Sequence, residues 1–308
     1  MSKGKILVTG ANGFVGLRLL KHIKKMDFDV RVLSRKPIKQ YESICCDFLQ
    51  NRIPLNSLDS IDIVFHLAGF AHDTRMRKEV SLSYQAINVD ATVQLAKLAV
   101  KSKVKTFVFV SSVKAGGGSY LKKCKNENDQ MEPDGAYGKS KREAELKLLE
   151  ISQNSKMNVV IIRPSLVYGE GMKGNLNLMF NGIKNGWFPP LPKIKNRRSM
   201  IHVDDLVEAL ILASFTRSIN GEIFIVTDGH PYSSREIYDA MCSSLGKKIP
   251  KWSLPLWIFI LVSKLNKRIS FKIDKLLGDD CYSSEKIELI GFKAKKSINN
   301  LSGNETFY

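Results

Sequence analysis

Short apolar runs and segments of helical periodicity alternate through the first half of the chain. Runs of strand length occupy residues 5–9, 30–34, 43–48, 61–68, 105–110 and 158–163. Helical patterns lie between them, from about 14 to 25, from about 84 to 102, and from about Tyr137 onward. Most runs lack polar alternation, which is typical of strands covered on both faces. The pattern predicts an α/β protein with a doubly wound parallel sheet.

The rhythm changes after Arg163-Pro164, where the sixth run ends. Gly, Pro and Asn are frequent between 169 and 192, a strand edge and a helix follow over 201–215, and a last strand is predicted at 223–227. We therefore predict a Rossmann-type domain of residues 1–164 with 199–228 interleaved. Residues 165–198 and 229–308 are expected to form a smaller C-terminal substrate-binding lobe, with a frayed tail from about Lys293.

The longest apolar run, Leu254 to Val262, is too short to span a bilayer, which needs about 20 residues. Two interpretations are open. The run can be a buried helix of the substrate-binding lobe. It can also lie on an anionic membrane, because residues 247–277 hold eight Lys or Arg and a single acid, Asp274. We expect core packing, with membrane contact weak or absent.

Composition narrows the class of protein but not its partner. Of 308 residues, 48 are Lys or Arg and 30 are Asp or Glu, which gives a net charge of +18. The excess favours an anionic partner such as a nucleotide, or it reflects solvated lysines spread along helix faces. Five Cys show no metal-ligand spacing, and Met1–Lys5 lead directly into the first strand. We therefore expect reduced thiols, no export segment and a cytoplasmic location.

A glycine-rich turn follows the first strand. Gly10, Gly13 and Gly16 stand between a strand and a helix, where glycine allows a tight turn and a close approach to a diphosphate. The second strand ends in Ser34-Arg35-Lys36, with no acid to bind a ribose 2′-hydroxyl. A cationic fork suits a 2′-phosphate, so NADP(H) is favoured and NAD stays open. Arg35 can alternatively stack on the adenine or be solvated.

Tyr137 and Lys141 are spaced to share one face of a helix. An ammonium beside a phenol favours the phenolate, so we expect Lys141 to lower the pKa of Tyr137 and make it a proton-transfer group. Ser112 ends the fifth strand, where it can bind the oxygen of the reacting carbon, and Ser111 is the competing candidate.

Arginines supply further candidates. Arg198 is expected to bind a diphosphate, a task that Arg197 could also perform. His66 and His202 form no metal set with any Cys or acid and are interpreted as structural.

Taken together, these motifs resemble the extended short-chain dehydrogenase/reductase family in its NAD-dependent epimerase/dehydratase, or nucleotide-sugar, branch. The resemblance covers roughly residues 5–245 and also includes Asn88-Val89-Asp90-Ala91-Thr92. It implies a substrate site with Ser112, Asn175 and Arg198. It further implies a cofactor site formed by Gly10, Asn12, Gly13, Phe14, Val15, Gly16, Ser34, Arg35, Asp47, Phe48, Leu67, Ala68, Gly69, Asn88, Tyr137, Lys141 and Arg163. By the resemblance, Asp47 and Phe48 border the adenine, Ala68 and Gly69 the diphosphate, and Asn88 the nicotinamide ribose.

Within that branch the chain looks most like bacterial UDP-N-acetyl-hexosamine C4 oxidoreductases of surface-polysaccharide synthesis. Gly116-Gly117 replaces the usual Tyr-Gly, and Val113-Lys114 replaces the Asp-Glu pair that a dehydratase needs. We therefore expect a 4-keto reductase that uses NADPH on a UDP-N-acetyl-6-deoxyhexosamine. The alternative is a UDP-glucose or UDP-N-acetylglucosamine 4-epimerase with tightly bound NAD, and a remote alternative is a non-catalytic NADP(H)-sensing protein. A UDP-sugar partner and no nucleic acid are expected, and a homodimer is left open.

Overall fold

The computed structural model describes residues 4–50, 52–71, 82–118, 123–133 and 135–298. Its strands are β1 (Lys5–Thr9), β2 (Asp29–Ser34), β3 (Glu42–Cys45), β4 (Ile63–His66), β5 (Thr106–Val110), β6 (Asn158–Pro164), β7 (Leu166–Tyr168), β8 (Arg198–His202), β9 (Glu222–Val226) and β10 (Pro231–Tyr232). Its α-helices are α1 (Phe14–Ile23), α2 (Ala91–Lys101), α3 (Gly135–Gln153), α4 (Gly174–Lys184), α5 (Val203–Phe215), α6 (Ser234–Ser244), α7 (Leu256–Ser263), α8 (Lys267–Leu277) and α9 (Glu285–Glu288).

Seven strands form one parallel sheet in the order β3-β2-β1-β4-β5-β6-β9. Parallel strands place their carboxyl ends at a single edge, so the turn after β1 and the segments after β4 and β5 meet there. The strand order reverses between β1 and β4, which is where such sheets open a ligand crevice. The predicted doubly wound α/β fold is confirmed.

Helices cover both faces of this sheet, as the unbroken apolar strands require. On one face, α1 and α5 pack over strand residues such as Val8, Phe65 and Val160. On the other, α2 and α3 pack over Leu7, Val64 and their neighbours. A π-helical turn over Gln85–Asp90 leads into α2 and brings Asn88 beneath the carboxyl edge.

The smaller lobe is built around a second sheet with the order β10-β8-β7. Its core combines apolar side chains of α4 and α6, among them Phe180, Ile183, Ile237 and Met241. Arg235 of α6 donates to the carbonyls of Leu191, Trp252 and Pro250, so this helix also fixes the chain that leads to α7.

Two expectations about the C-terminal part are wrong. No residue of α7 is fully buried, so the Leu254–Val262 run is not a core helix. The segment from Lys293 is not frayed up to residue 298: Ile298 is buried, and the backbone N–H groups of Lys295 and Lys296 donate to Asp205. The expected tail beyond it lies outside the described residues.

The thiols are also not all reduced. Cys124 and Cys281, 157 residues apart in sequence, form a disulfide, whereas Cys45, Cys46 and Cys242 are free. The disulfide stands beside a short parallel bridge between Lys125 and Tyr282. It therefore fixes the segment after α8 to the loop that precedes α3.

Candidate active site

The glycine-rich turn after β1 has the shape of a diphosphate cradle. Gly10 adopts φ +67°, and a Cβ there would lie 2.6 Å from the backbone nitrogen of Ala68. A Cβ on Gly16 would lie 2.3 Å from the carbonyl oxygen of Gly10. Gly13 caps α1 without a side chain, and the first turn of the helix holds no acid. The N-terminal N–H groups of α1 are thus available to an anion, which fits the diphosphate of a dinucleotide.

The other turn residues surround this cradle. Asn12 is exposed on the turn itself, while Phe14 and Val15 are half-buried at the start of α1. Phe14 packs toward the core of the smaller lobe and Val15 toward the sheet. The cradle therefore lies where the two parts of the molecule meet.

The ends of β2 and β3 lie next to one another, beside the cradle strand β1. Ser34 donates its hydroxyl to the carbonyl of Lys36 at 2.7 Å, and Arg35 is exposed. Asp47 accepts from the backbone N–H of Leu49 at 3.0 Å. Phe48 packs edge-on against the ring of His66, with 6.1 Å between centroids.

A directional hydrogen-bond chain holds the segment after β4. The N–H of Ala68 donates to Thr9 Oγ1 at 3.1 Å, and the Thr9 hydroxyl and His66 Nδ1 share a hydrogen bond of 2.7 Å. Thr92 Oγ1 donates to the carbonyl of Asn88 at 2.8 Å and accepts from His66 Nε2 at 2.8 Å. Because the Thr92 hydroxyl proton is used on Asn88, His66 Nε2 is the donor to Thr92, and in a neutral ring Nδ1 then accepts from Thr9. Burial agrees with this, because it lowers the pKa of His66 to about 3, with a smaller contribution from the charge of Lys141.

Asn88 is fully buried and uses its amide to join three elements. Its Oδ1 accepts from the N–H of Phe70 at 2.7 Å, and its Nδ2 donates to the carbonyl of Phe70 at 3.1 Å and to Ser140 Oγ at 3.0 Å. The Leu67-Ala68-Gly69 segment is therefore fixed against α3.

The three catalytic candidates meet at the end of β5. The hydroxyl of Ser112 interacts with the phenol of Tyr137 and acts to lower its pKa. It also accepts from the N–H of Lys114 at 3.2 Å. Ser111, the competing candidate, has a buried side chain, and its N–H continues the sheet by donating to Ile162 at 2.7 Å. Of the two serines, Ser112 is therefore the one that interacts with Tyr137.

Lys141 lies one helical turn after Tyr137 on α3 and is almost completely buried. Its ammonium donates to the carbonyl of Val110 at 2.8 Å and stands 4.5 Å above the ring of Phe109. A Cβ placed on Gly69 would lie 3.3 Å from Lys141 Nζ. The ammonium thus borders the segment where the diphosphate and ribose of a dinucleotide are expected.

The expected lowering of the phenol pKa is wrong for the protein without ligands. Burial raises the pKa of Tyr137 to about 12, and the hydrogen bond from Ser112 offsets only part of this. Burial likewise lowers the pKa of Lys141 to about 8, against a smaller raising effect of Glu145. Both shifts have the same largest cause, burial, which disfavours the charged form of each group.

Arg163, expected at the cofactor, points elsewhere. It is buried at the end of β6 and donates from Nε and Nη2 to the two carboxylate oxygens of Glu145 at 2.8 and 2.6 Å. Gln130 accepts two longer bonds from the same guanidinium. Glu145 lies one helical turn beyond Lys141, so this ion pair fastens the catalytic helix to the sheet.

On the substrate side, Asn175 is exposed in the first turn of α4, and Arg198 donates to the carbonyl of Lys275. Sequence reasoning missed a polar cluster beside them. The ammonium of Lys114 pairs with both oxygens of Asp280 at 2.8 Å, and the Tyr282 hydroxyl donates to the same carboxylate at 2.6 Å.

Charge keeps Asp280 ionised. Burial would raise the pKa of this carboxyl, but Lys114, Tyr282 and Arg198 together hold it below its ordinary value. In the sequence, the one sign of this cluster is a lysine two residues after Ser112. Its partner Asp280 was not predictable, because it lies 166 residues further along the chain.

Among the described residues, no group of His, Cys, Asp and Glu could hold a metal ion. His66 is held by two threonines, and His202 Nδ1 accepts from the N–H of Asp204 at the start of α5.

The model of the NAD dependent epimerase/dehydratase family matches residues 6–226. A UDP-glucose 4-epimerase of Vibrio cholerae is 32% identical over 95% of this chain and 92% of its own. An N-acetyl-alpha-D-glucosaminyl-diphospho-ditrans,octacis-undecaprenol 4-epimerase of Escherichia coli O157:H7 is 27% identical over 95% and 91%. Among solved structures, MoeE5 in complex with UDP-glucose and NAD has a TM-score of 0.76 at 23% identity, over 96% of this chain and 94% of that one. This last likeness concerns the fold.

Proposed function

The chain belongs to the NAD dependent epimerase/dehydratase family and is an NAD(P)-dependent enzyme, and from this we propose that it is a 4-epimerase of a diphosphate-linked hexose or N-acetylhexosamine. The observation that carries the proposal is the interaction of Ser112 with Tyr137, with the buried Lys141 one helical turn further along α3, at the same sheet edge as the glycine cradle. The 4-epimerases of Vibrio cholerae and Escherichia coli, alike over nearly the whole chain, support epimerisation over the reductase that the sequence favoured.

Each residue has a defined task in this reaction. The Tyr137 hydroxyl exchanges the proton of the sugar C4 oxygen, and Ser112 binds that oxygen and orients it toward the phenol. Lys141, held by Val110, stabilises the phenol when it is charged. NAD, when bound, accepts the C4 hydride and returns it after the keto sugar has turned over. The glycine cradle and the start of α1 would hold its diphosphate.

Dehydration is disfavoured by Lys114. A 4,6-dehydratase needs an acid and a base to expel the C6 hydroxyl, and this position instead carries an ammonium paired with Asp280. We therefore assign Lys114 and Asp280 to the binding of substrate, with Arg198 and Asn175 as candidates for its diphosphate and nucleotide.

The carrier of the sugar is part of the proposal. UDP is proposed first, since the Vibrio cholerae relative is a UDP-glucose 4-epimerase. A polyprenyl diphosphate is the alternative carrier, since the Escherichia coli relative acts on an undecaprenol-linked sugar. Both carriers present a diphosphate to the same cationic side chains.

A 4-keto reductase that uses NADPH is the second candidate, and Arg35 favours it. This cation is exposed at the end of β2 where an acid would bind a 2′-hydroxyl, and it suits a 2′-phosphate. A reductase must exchange its cofactor at every turnover, whereas an epimerase can retain one NAD.

One set of incubations separates these reactions. Purified protein is incubated without added cofactor with UDP-glucose, UDP-N-acetylglucosamine or undecaprenyl-diphospho-N-acetylglucosamine, and the C4 epimer is measured by NMR. A parallel sample receives a UDP-4-keto-6-deoxy-N-acetylhexosamine and NADPH, and the oxidation of NADPH is followed. Epimer that is absent with Tyr137→Phe supports the proposal. Oxidation of NADPH without epimer supports the reductase, and neither reaction overturns both.

A further inference from the structure

Helix α7 is apolar on every side yet has no core to cover it. Seven of the eight residues in Leu256–Ser263 are hydrophobic, and none is fully buried. Trp257 is 63% exposed, Leu261 58% and Ile260 50%. A helix that is hydrophobic all round is normally enclosed by protein or by lipid. The described part of the chain covers it only partly, through the neighbouring helix α8 and through Phe259, which packs against the core of the smaller lobe.

Helix α8 packs against α7 and adds a second apolar surface with a basic border. Phe271 is exposed on α8, while Leu276 anchors the helix to the same core as Phe259. Lys264, between the two helices, and Lys272 on α8 are both exposed. The hairpin is therefore fixed to the lobe at two points and presents aromatic and cationic side chains outward.

We propose that the α7–α8 hairpin docks on an anionic phospholipid bilayer, with α7 lying in the interface and the lysines at the headgroups. Charge complementarity selects this occupant, because residues 247–277 carry eight Lys or Arg against Asp274 alone. A second copy of the chain would bring the same cations against each other. With eight residues, α7 is about 12 Å long and lies on the membrane without crossing it. No helix within the described ranges is long and apolar enough to cross.

Docking here would hold the substrate side of the active site next to the membrane. The carbonyl of Lys275, in the last turn of α8, accepts from Arg198. Asp280, shortly after this helix, pairs with Lys114, whose backbone N–H is bound by Ser112. The hairpin is thus joined to the catalytic serine through a short series of direct contacts. This inference does not depend on which sugar is bound or on the direction of the reaction.

The fluorescence of the chain's three tryptophans can report the binding of the protein to vesicles. Trp187, Trp252 and Trp257 are 62%, 60% and 63% exposed, so the intrinsic emission of the free protein comes entirely from water-exposed indoles. The segments of Trp187 and Trp252 adjoin, since Leu254 donates to the carbonyl of Pro190 at 3.1 Å. We expect a blue shift and co-sedimentation with phosphatidylglycerol-containing vesicles, both weaker at physiological than at low ionic strength. Emission and sedimentation unchanged by these vesicles would overturn the proposal.

Paired variants test the apolar contribution. Trp257→Gln with Leu261→Gln removes two inserted side chains and should lower vesicle partitioning at least about tenfold. Leu289→Gln, at a residue 87% exposed directly after α9, removes an apolar side chain elsewhere and should partition like the wild type. Far-ultraviolet circular dichroism and the unfolding temperature establish that each variant is folded. Equal partitioning of the double variant and the wild type would contradict insertion of α7.

Charge variants test the second contribution and the competing occupant. Lys264→Gln with Lys272→Gln should weaken binding about thirtyfold at low ionic strength, from about 1 kcal/mol for each lysine. Lys156→Gln, also exposed but far from the hairpin in sequence, is the control. Sedimentation velocity without vesicles then identifies the alternative. A dimer that Trp257→Gln dissociates, together with absent vesicle binding, would assign the face to a second copy of the chain and overturn the proposal.

Discussion

Replacing Lys141 by Met should remove a pH-dependent part of the protein's stability. Burial lowers the pKa of the folded ammonium to about 8, whereas the ordinary value is 10.5. Between these two values the unfolded chain holds a proton that the folded chain has released. The free energy of unfolding therefore rises with pH across this window, and the cost of the buried charge is fully present below pH 8.

The magnitude follows from the shift. From pH 7 to pH 10, the lysine's contribution to the free energy of unfolding should rise by about 2–3 kcal/mol, at 1.36 kcal/mol for each unit of pKa. Tyr137 has the opposite sign: because its pKa is raised to about 12, its stabilising contribution is lost only as the pH rises above 10. Measurements up to pH 10 therefore isolate the lysine.

Urea unfolding of the wild type and of Lys141→Met, at intervals from pH 7 to pH 10, measures this difference. Subtraction cancels every group that the two proteins share, including the buried thiols of Cys46 and Cys242, whose pKa values are raised by burial. Lys139→Met, at an exposed lysine of the same helix, controls for the loss of one positive charge. A wild-type minus Lys141→Met difference that stays constant over this range would refute the reasoning, because it would mean that the ammonium is solvated in the folded protein.

Three further changes have defined outcomes. Tyr137→Phe should lower kcat about 10²–10⁴-fold while cofactor binding survives, and retention of half the activity in a sugar-conversion assay would exclude Tyr137 as the proton-transfer group. Arg35→Asp should shift the ratio of kcat/KM from NADPH toward NADH, since a carboxylate repels the 2′-phosphate; an unchanged ratio removes Arg35 from the cofactor site. Arg163→Met should lower the free energy of unfolding in urea by about 3–5 kcal/mol, because it leaves the buried Glu145 carboxylate without its cationic partner. Adding Glu145→Leu should recover most of the loss. Titration of unfolded, unreduced protein should find three thiols, the number outside the disulfide, and five would show that the pair is reduced.

Local signals made the sheet and the centre of the site predictable. Each strand of the large sheet is a short apolar run, and the cradle, Ser112 and Tyr137 all lie within a few residues of a strand or helix end. Such residues reach one place because parallel strands end at one edge. Once the alternation of strands and helices predicts a parallel sheet, it also predicts that these residues lie close together.

Contacts between distant segments were not predictable in this way. The fork of Arg163 onto Glu145 was missed because an arginine at a strand end is compatible with a phosphate or with a carboxylate, and only the position of α3 decides between them. The pairings of Lys114 with Asp280 and of Cys124 with Cys281 join residues more than 150 positions apart. Helix α7 was assigned to the core because its sequence has no polar face, and nothing in the sequence gives the extent of the lobe that would have to cover it.

The sign of the Tyr137 shift shows a more general limit. Spacing on a helix places Tyr137 and Lys141 on one face, and a charge–charge argument alone then predicts a lowered phenol pKa. In the structure the Lys141 ammonium donates to the carbonyl of Val110, and burial is the largest influence on the pKa of each group. The phenol is therefore protonated at neutral pH, while the ammonium is close to losing its proton. Burial of the pair, and not its spacing, sets the protonation state from which proton transfer to a sugar oxygen must begin.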